Sequence, residues 1–155
     1  MGRAGRHAVW AAVTLAVALL LALPAGAKTL QDFLTGIAPA DLVPGGASFG
    51  AAEGDPPLVP VLDAGGAKVG FAYLNTDFTT SVGYSGKPIR IVVGIDLEGR
   101  VRGLKLVEHH EPIVLIGIPE PKIMAALNRL IGADLGAVAA GGAKPPQVEI
   151  VSGAT

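Results

Sequence analysis

The chain has 155 residues, room for one domain, and is half apolar, with only 16% charged side chains and a formal net charge of −1. No basic stretch follows the N-terminus, so the charge favours no nucleic-acid partner for this segment. With no cysteine, disulfides, iron–sulfur clusters and thiolate zinc sites are excluded within the chain, and redox chemistry has to come from an organic cofactor or a metal on other ligands.

Residues 1–27 read as an export segment. Arg3, Arg6 and His7 give a positive start, Ala8 to Leu23 is an uncharged apolar run, and Ala25-Gly26-Ala27 is a small-x-small cleavage site. As a helix the apolar run spans about 24 Å, short of the roughly 30 Å hydrocarbon core, which favours a cleaved signal over an uncleaved anchor. Either alternative takes the remainder across the membrane.

Leu30, Phe33, Leu34 and Ile37 fall on one stripe of a short helix, with Thr29 as N-cap and Pro39 as the stop. Residues 28–45 are thus expected to form a short helix and linker before a domain over 46–155. From Pro44 to Pro60 the density of Gly and Pro predicts an extended connection with no regular structure. Val59 to Leu62 and Lys68 to Leu74 flank Asp63-Ala64-Gly65-Gly66, a hairpin signal. Ile89 to Ile95 and Val101 to Val107 flank Asp96-Leu97-Glu98-Gly99 and predict a second hairpin. Pro119 and Pro121 open a helix carrying Ile123, Leu127, Leu130 and Ile131, closed by Gly132. A Gly/Ala/Pro loop runs to Pro146, and Gln147 to Val151 is a last short strand. Strand pairs interleaved with helices predict an α+β fold, an antiparallel sheet with flanking helices.

Ser152-Gly153-Ala154-Thr155 follows that last strand. Three small residues leave the Thr155 hydroxyl accessible, and backbone N–H groups at such a turn suit a phosphate. The plainer reading is a small-residue tail. The tetrapeptide resembles the flavinylation motif of the periplasmic FMN-binding domains of sodium-pumping quinone reductase and Rnf electron-transport complexes, and of the NosR/NirI family. Three longer stretches, Gly70 to Phe78, Gly83 to Ile89 and Leu106 to Pro119, resemble the NosR/NirI family in the same order. Together the resemblance covers roughly residues 41 to 155.

The resemblance implies FMN held covalently, through a phosphoester on Thr155, with Ser152, Gly153 and Ala154 completing the motif. A separate flavin transferase would install it. Where the family has an Asp three residues before the Ser, this chain has Glu149. The resemblance also implies that the chain is the N-terminal fragment of a longer inner-membrane protein, its FMN-binding domain truncated at the C-terminus. Its role would be electron transfer in a membrane-bound redox chain that supports nitrous-oxide reductase, without a substrate of its own and so without enzyme activity. A flavin-dependent sensory module and a plain secreted structural domain are the rival readings.

Glu108-His109-His110-Glu111 invites a metal reading. On a strand, Glu108 with His110 and His109 with Glu111 would face opposite sides, and two ligands per face are too few for a closed zinc site. A solvated strand end and a flavin contact are the alternatives. In the related FMN domains a Glu-Thr-Pro-Gly-Leu-Gly segment lies near the flavin ring. Against that pattern only Glu111 and Gly117 carry over, with Ile113 to Ile116 packing either on the ring or in the core. Tyr84 and Lys87 are weaker suggestions for the ring or phosphate.

Overall fold

The computed structural model describes residues 28–112, 119–144 and 146. The export segment 1–27, Ile113 to Ile116 with Gly117, the last strand and Ser152 to Thr155 therefore lie outside the described residues.

Five strands form one antiparallel sheet in the order β1-β2-β3-β4-β5, each neighbour in sequence being a neighbour in space. They are β1 (Ser48–Phe49), β2 (Val59–Leu62), β3 (Lys68–Leu74), β4 (Arg90–Asp96) and β5 (Val101–Glu108). This is the antiparallel sheet that the strand pairs predict, and both hairpins are present. Their turns share one device. Asp63 Oδ1 accepts from the Gly65 and Ala67 N–H groups, both at 2.8 Å, and Asp96 Oδ1 accepts from Glu98 at 3.1 Å and Arg100 at 2.8 Å. Gly66 and Gly99 then take positive φ values of 83° and 78°, which a residue with a Cβ resists.

Three local expectations need correction. Pro39 does not stop a helix. It opens α2 (Pro39–Leu42), which follows α1 (Leu30–Leu34), because proline's fixed φ suits the first helical turn. The Gly/Pro-rich segment is not wholly irregular. Between its prolines Ala47 to Gly50 keep their N–H groups, and those of Ala47 and Gly50 bond Leu62 and Pro60 carbonyls at 2.7 and 2.8 Å, so β1 becomes the sheet edge. The loop after Gly132 contains α4 (Leu135–Ala139), whose N-cap Asp134 accepts from the Ala137 N–H at 2.8 Å.

The sheet is covered on both faces. On one, Leu30, Leu34, Leu42 and Val43 pack against Val59, Val61, Ala72, Leu74 and Val92. On the other, Val93, Val101 and Leu104 gather Tyr73, Ile91, Ile95, Leu130 and Ala133. Part of the second face is covered by α3 (Glu120–Leu127) and the 3-10 turn Asn128–Leu130. Hydrogen bonds from Gly132 to the Val101 carbonyl (2.7 Å) and from Val101 to the Ala133 carbonyl (2.9 Å) tie that segment to the start of β5.

Gly94 and Gly103 face one another across β4 and β5. A Cβ on Gly94 would run into the Leu42 carbonyl, and one on Gly103 into the Asp41 carbonyl. The bare pair therefore lets the backbone of α2 rest on the sheet. Gly94→Ala is expected to cost about 3 kcal/mol, the upper end for overpacking, because backbone cannot step aside as a side chain does. Gly36→Ala, with open space around it, is the control. Urea unfolding of the two variants checks this. Equal midpoints would show that α2 does not depend on the glycine pair.

Candidate functional site

The second face of the sheet does not close completely. Between β4, the end of β5 and α3 lies a cavity of about 250 Å³. Ile89, Ile91, Leu106, Ile123, Leu127 and Val82 make its wall apolar, and Asn75, Ser81, Gly83, His109 and Glu111 complete it. An apolar hollow with a few polar groups is the usual form of a cofactor site.

Alternation along the strand explains which residues reach it. Leu104 and Leu106 point to this face, while Lys105 pairs with Asp41 and Val107 joins the core on the opposite one. At the end of β5 the phase then shifts by one residue, because Val107 is skipped in the register between Arg90↔Glu108 and Ile91↔Leu106. His109 and Glu111 enter the cavity wall, whereas Glu108 pairs with Arg90 at 2.6 Å and lines a small opposite cleft with His110, Lys87, Pro88 and Arg90. The two pairs expected from the sequence are thus on separate sides. Among the described residues no three of His, Cys, Asp and Glu gather as a metal set.

Glu111 is the one buried charged side chain among the described residues, at 1% exposure. Its Oε2 accepts from the Tyr84 N–H at 3.1 Å, and its Oε1 from the Ser85 hydroxyl at 2.8 Å and the Ser85 N–H at 3.4 Å. The donors belong to a tight loop in which the Gly83 N–H bonds the Lys87 carbonyl at 2.9 Å, and Gly86 sits at a φ of 72°. A Cβ on Gly83 would strike the Glu111 carboxylate, so glycine there lets the acid in. Glu111 therefore reaches the cavity, but both its oxygens are engaged by the loop that walls it. Tyr84 is 75% exposed and does not line the cavity, and Lys87 belongs to the opposite cleft.

The other polar lining groups are also largely occupied. Asn75 donates to the Ile89 carbonyl at 3.0 Å and accepts from the Ile91 N–H at 2.7 Å, joining the end of β3 to the start of β4. The Ser81 hydroxyl lies 2.8 Å from that of Thr79. His109 differs, because its Nδ1 is shut off from solvent with no hydrogen-bond partner among the described residues. Beside the cavity, Asp77 lines a cleft with Lys28, Arg90 and several hydroxyl residues. Burial raises its carboxyl above the usual carboxylate range, and Arg90 partly opposes this.

Of the six residues assigned to the cofactor from the sequence, Glu111 is described, whereas Gly117, Ser152, Gly153, Ala154 and Thr155 lie outside the described residues. The apolar wall and Asn75 were not anticipated as site residues. Asn75 did lie in the Gly70 to Phe78 stretch that carries the resemblance.

Residues 83–155 match the FMN-binding domain family. The chain is 46% identical over 78 residues to the regulatory protein NosR of Stutzerimonas stutzeri, a match covering 50% of this chain and 11% of that protein. It is 37% identical over 150 residues to the regulatory protein NosR of Pseudomonas aeruginosa, covering 94% and 21%, and 33% identical over 127 residues to protein NirI of Paracoccus denitrificans, covering 76% and 17%. The chain thus spans between about a tenth and a fifth of the length of these relatives. No solved structure matches it.

Proposed function

Because the chain is an FMN-binding domain of the NosR/NirI type, we propose that it carries FMN covalently on Thr155 and seats the flavin ring in the cavity between β4, β5 and α3. The single observation behind this placement is the cavity itself. It is apolar, it holds an unpaired histidine nitrogen, and most of its wall lies within the matched span. An aromatic heterocycle with one polar edge fits such a wall.

FMN, when bound, supplies the electron-carrying chemistry. The protein's contribution is position and environment. Ile89, Ile91 and Leu106 line the cavity from the sheet side, Ile123 and Leu127 from the helix, and Val82 from the segment before the 83–87 loop. Excluding water this way strengthens every electrostatic contact inside the cavity. Asn75 fixes the start of β4 and Glu111 fixes the 83–87 loop, so the wall is set before a ligand arrives.

In this reading residues 1–27 deliver the domain to the periplasm, where a flavin transferase loads it. The full-length protein then passes electrons within a membrane redox chain that supports nitrous-oxide reduction. The word regulatory in the relatives' names supports a second reading, a flavin-dependent sensory module without electron-transfer turnover. Among the described residues no helix is long and apolar enough to cross a membrane.

The test is export in a host that has a flavin transferase, followed by absorbance of the purified chain. About one flavin per chain is expected, and a colourless protein would remove the proposal. Photoreduced flavin that membranes with a quinone-linked chain reoxidise supports electron transfer. Flavin that stays reduced favours the sensory reading.

A further inference from the structure

His109 stands apart from every other polar side chain in the cavity wall. Asn75, Ser81 and Glu111 have partners through their side chains. The His109 ring forms part of the same wall, yet its Nδ1 is buried and has no hydrogen-bond partner among the described residues. A buried polar atom left in this state costs about 1–3 kcal/mol, so native proteins rarely keep one without a use.

The group that could relieve this cost has to enter the cavity. The torsion that turns a histidine ring is broad, so the ring can swing to meet a ligand without leaving its rotamer. Neutral imidazole carries one N–H and one bare nitrogen, so the same ring can act as a donor. The oxidised flavin ring presents mainly acceptors along its polar edge, two carbonyl oxygens and two bare nitrogens, against one N–H. The complementary partner from the protein is therefore an N–H.

Resting on the FMN reading above, we propose that His109 donates a hydrogen bond to the polar edge of the flavin ring and thereby sets its orientation and reduction potential. Sequence alone left the run Glu108 to Glu111 open to a metal pair, a solvated strand end or a flavin contact, and carried only Glu111 of it over from the family pattern. His109 enters the site because it shares a side with Glu111, and the register shift that skips Val107 turns that side to the cavity.

A donor of this kind stabilises the electron-rich reduced ring more than the oxidised one, so its loss should lower the potential. The test uses the full chain with His109→Leu, which keeps much of the volume and removes both nitrogens. In the flavin-loaded chain, the variant should favour the oxidised ring about tenfold more than wild type. That is about 30 mV more negative for a two-electron couple. The visible absorption maximum should move as well. In the flavin-free chain the same variant should melt no lower than wild type, because an unpaired buried group has been removed. A merely structural histidine would give the opposite result, a flavin-free variant that melts lower and a loaded one with unchanged potential. Unchanged potential and spectrum in the loaded variant overturn the inference alone. A wild-type chain that takes up no flavin overturns the FMN reading and this inference with it.

Discussion

Thr155→Ala is expected to abolish the covalent flavin completely. After export alongside a flavin transferase, wild type should show a yellow-green fluorescent band on a denaturing gel, and the Ala variant none. The reason is chemical. A phosphoester needs an oxygen on the chain, and Ala has none, whereas Thr155→Ser keeps the hydroxyl and should retain part of the band. Ser152 is the nearby alternative acceptor, so Ser152→Ala should keep the band where Thr155→Ala loses it. A Thr155→Ala protein that still fluoresces after denaturation would remove Thr155 as the attachment site. It would leave the cavity assignment untouched, because that rests on separate residues.

The second large effect belongs to Glu111. Both its oxygens are acceptors for groups that can only donate or that already do so, namely the Tyr84 N–H, the Ser85 N–H and the Ser85 hydroxyl. Glu111→Ala would take their shared acceptor from these part-buried donors. Hydrogen bonds to a charged group contribute about 1.5–3 kcal/mol each and do not add fully, so a loss of about 3 kcal/mol is expected, or on the order of 10 °C in melting temperature. Glu111→Gln is the sharper test. If the amide NH₂ replaces Oε2 it meets the Tyr84 N–H; if it replaces Oε1 it meets the Ser85 N–H. Either way a donor faces a donor, and the near-isosteric change should still destabilise by more than 1 kcal/mol.

Hydrogen exchange localises the effect. The amides of Tyr84 and Ser85 should lose protection in Glu111→Gln, while those of β4 should stay protected. Gly83→Ala should do the same from the other side, since its Cβ would intrude on the carboxylate. Wild-type protection at residues 83–87 in Glu111→Gln would show that the acid does not hold the loop. Reduced flavin uptake is expected alongside, because Val82 and Gly83 line the cavity.

Much of the sheet was legible along the chain. β2 and β3 have the bounds expected from Val59–Leu62 and Lys68–Leu74, β4 is shifted by one residue at each end, and β5 is one residue longer at its C-terminal end. These hairpins are local objects. β-branched runs, an Asp able to accept backbone N–H groups and a Gly able to take positive φ are enough to specify each one. The helix opened by Pro119 and Pro121 is local in the same sense. Its α-helical part is Glu120–Leu127, continuing as a 3-10 turn to Leu130. Local signals misled where composition outweighed position, at β1, α2 and α4. There a proline or glycine counted against an element that pairing or capping then supplied.

The sequence by itself also pointed to the kind of cofactor, through stretches whose resemblance to NosR and NirI the comparisons bear out, two of them within the span that matches the FMN-binding family. What only the tertiary structure decided is how the wall is built and which side chains in it are engaged. The cavity draws on Asn75, on Ser81 to Gly83, on Ile89 and Ile91, on Leu106 to Glu111, and on Ile123 and Leu127. No period of 2 or 3.6 residues links positions so far apart, and their meeting depends on the register of β4 against β5 and on α3 folding back over that face. The same holds for Glu111 and His109. Charge and alternation could put both on one side of the strand end. Only the folded loop shows that the carboxylate is engaged and that the imidazole nitrogen has no partner among the described residues, because hydrogen bonds between residues 26 and 27 apart are not written in either local segment.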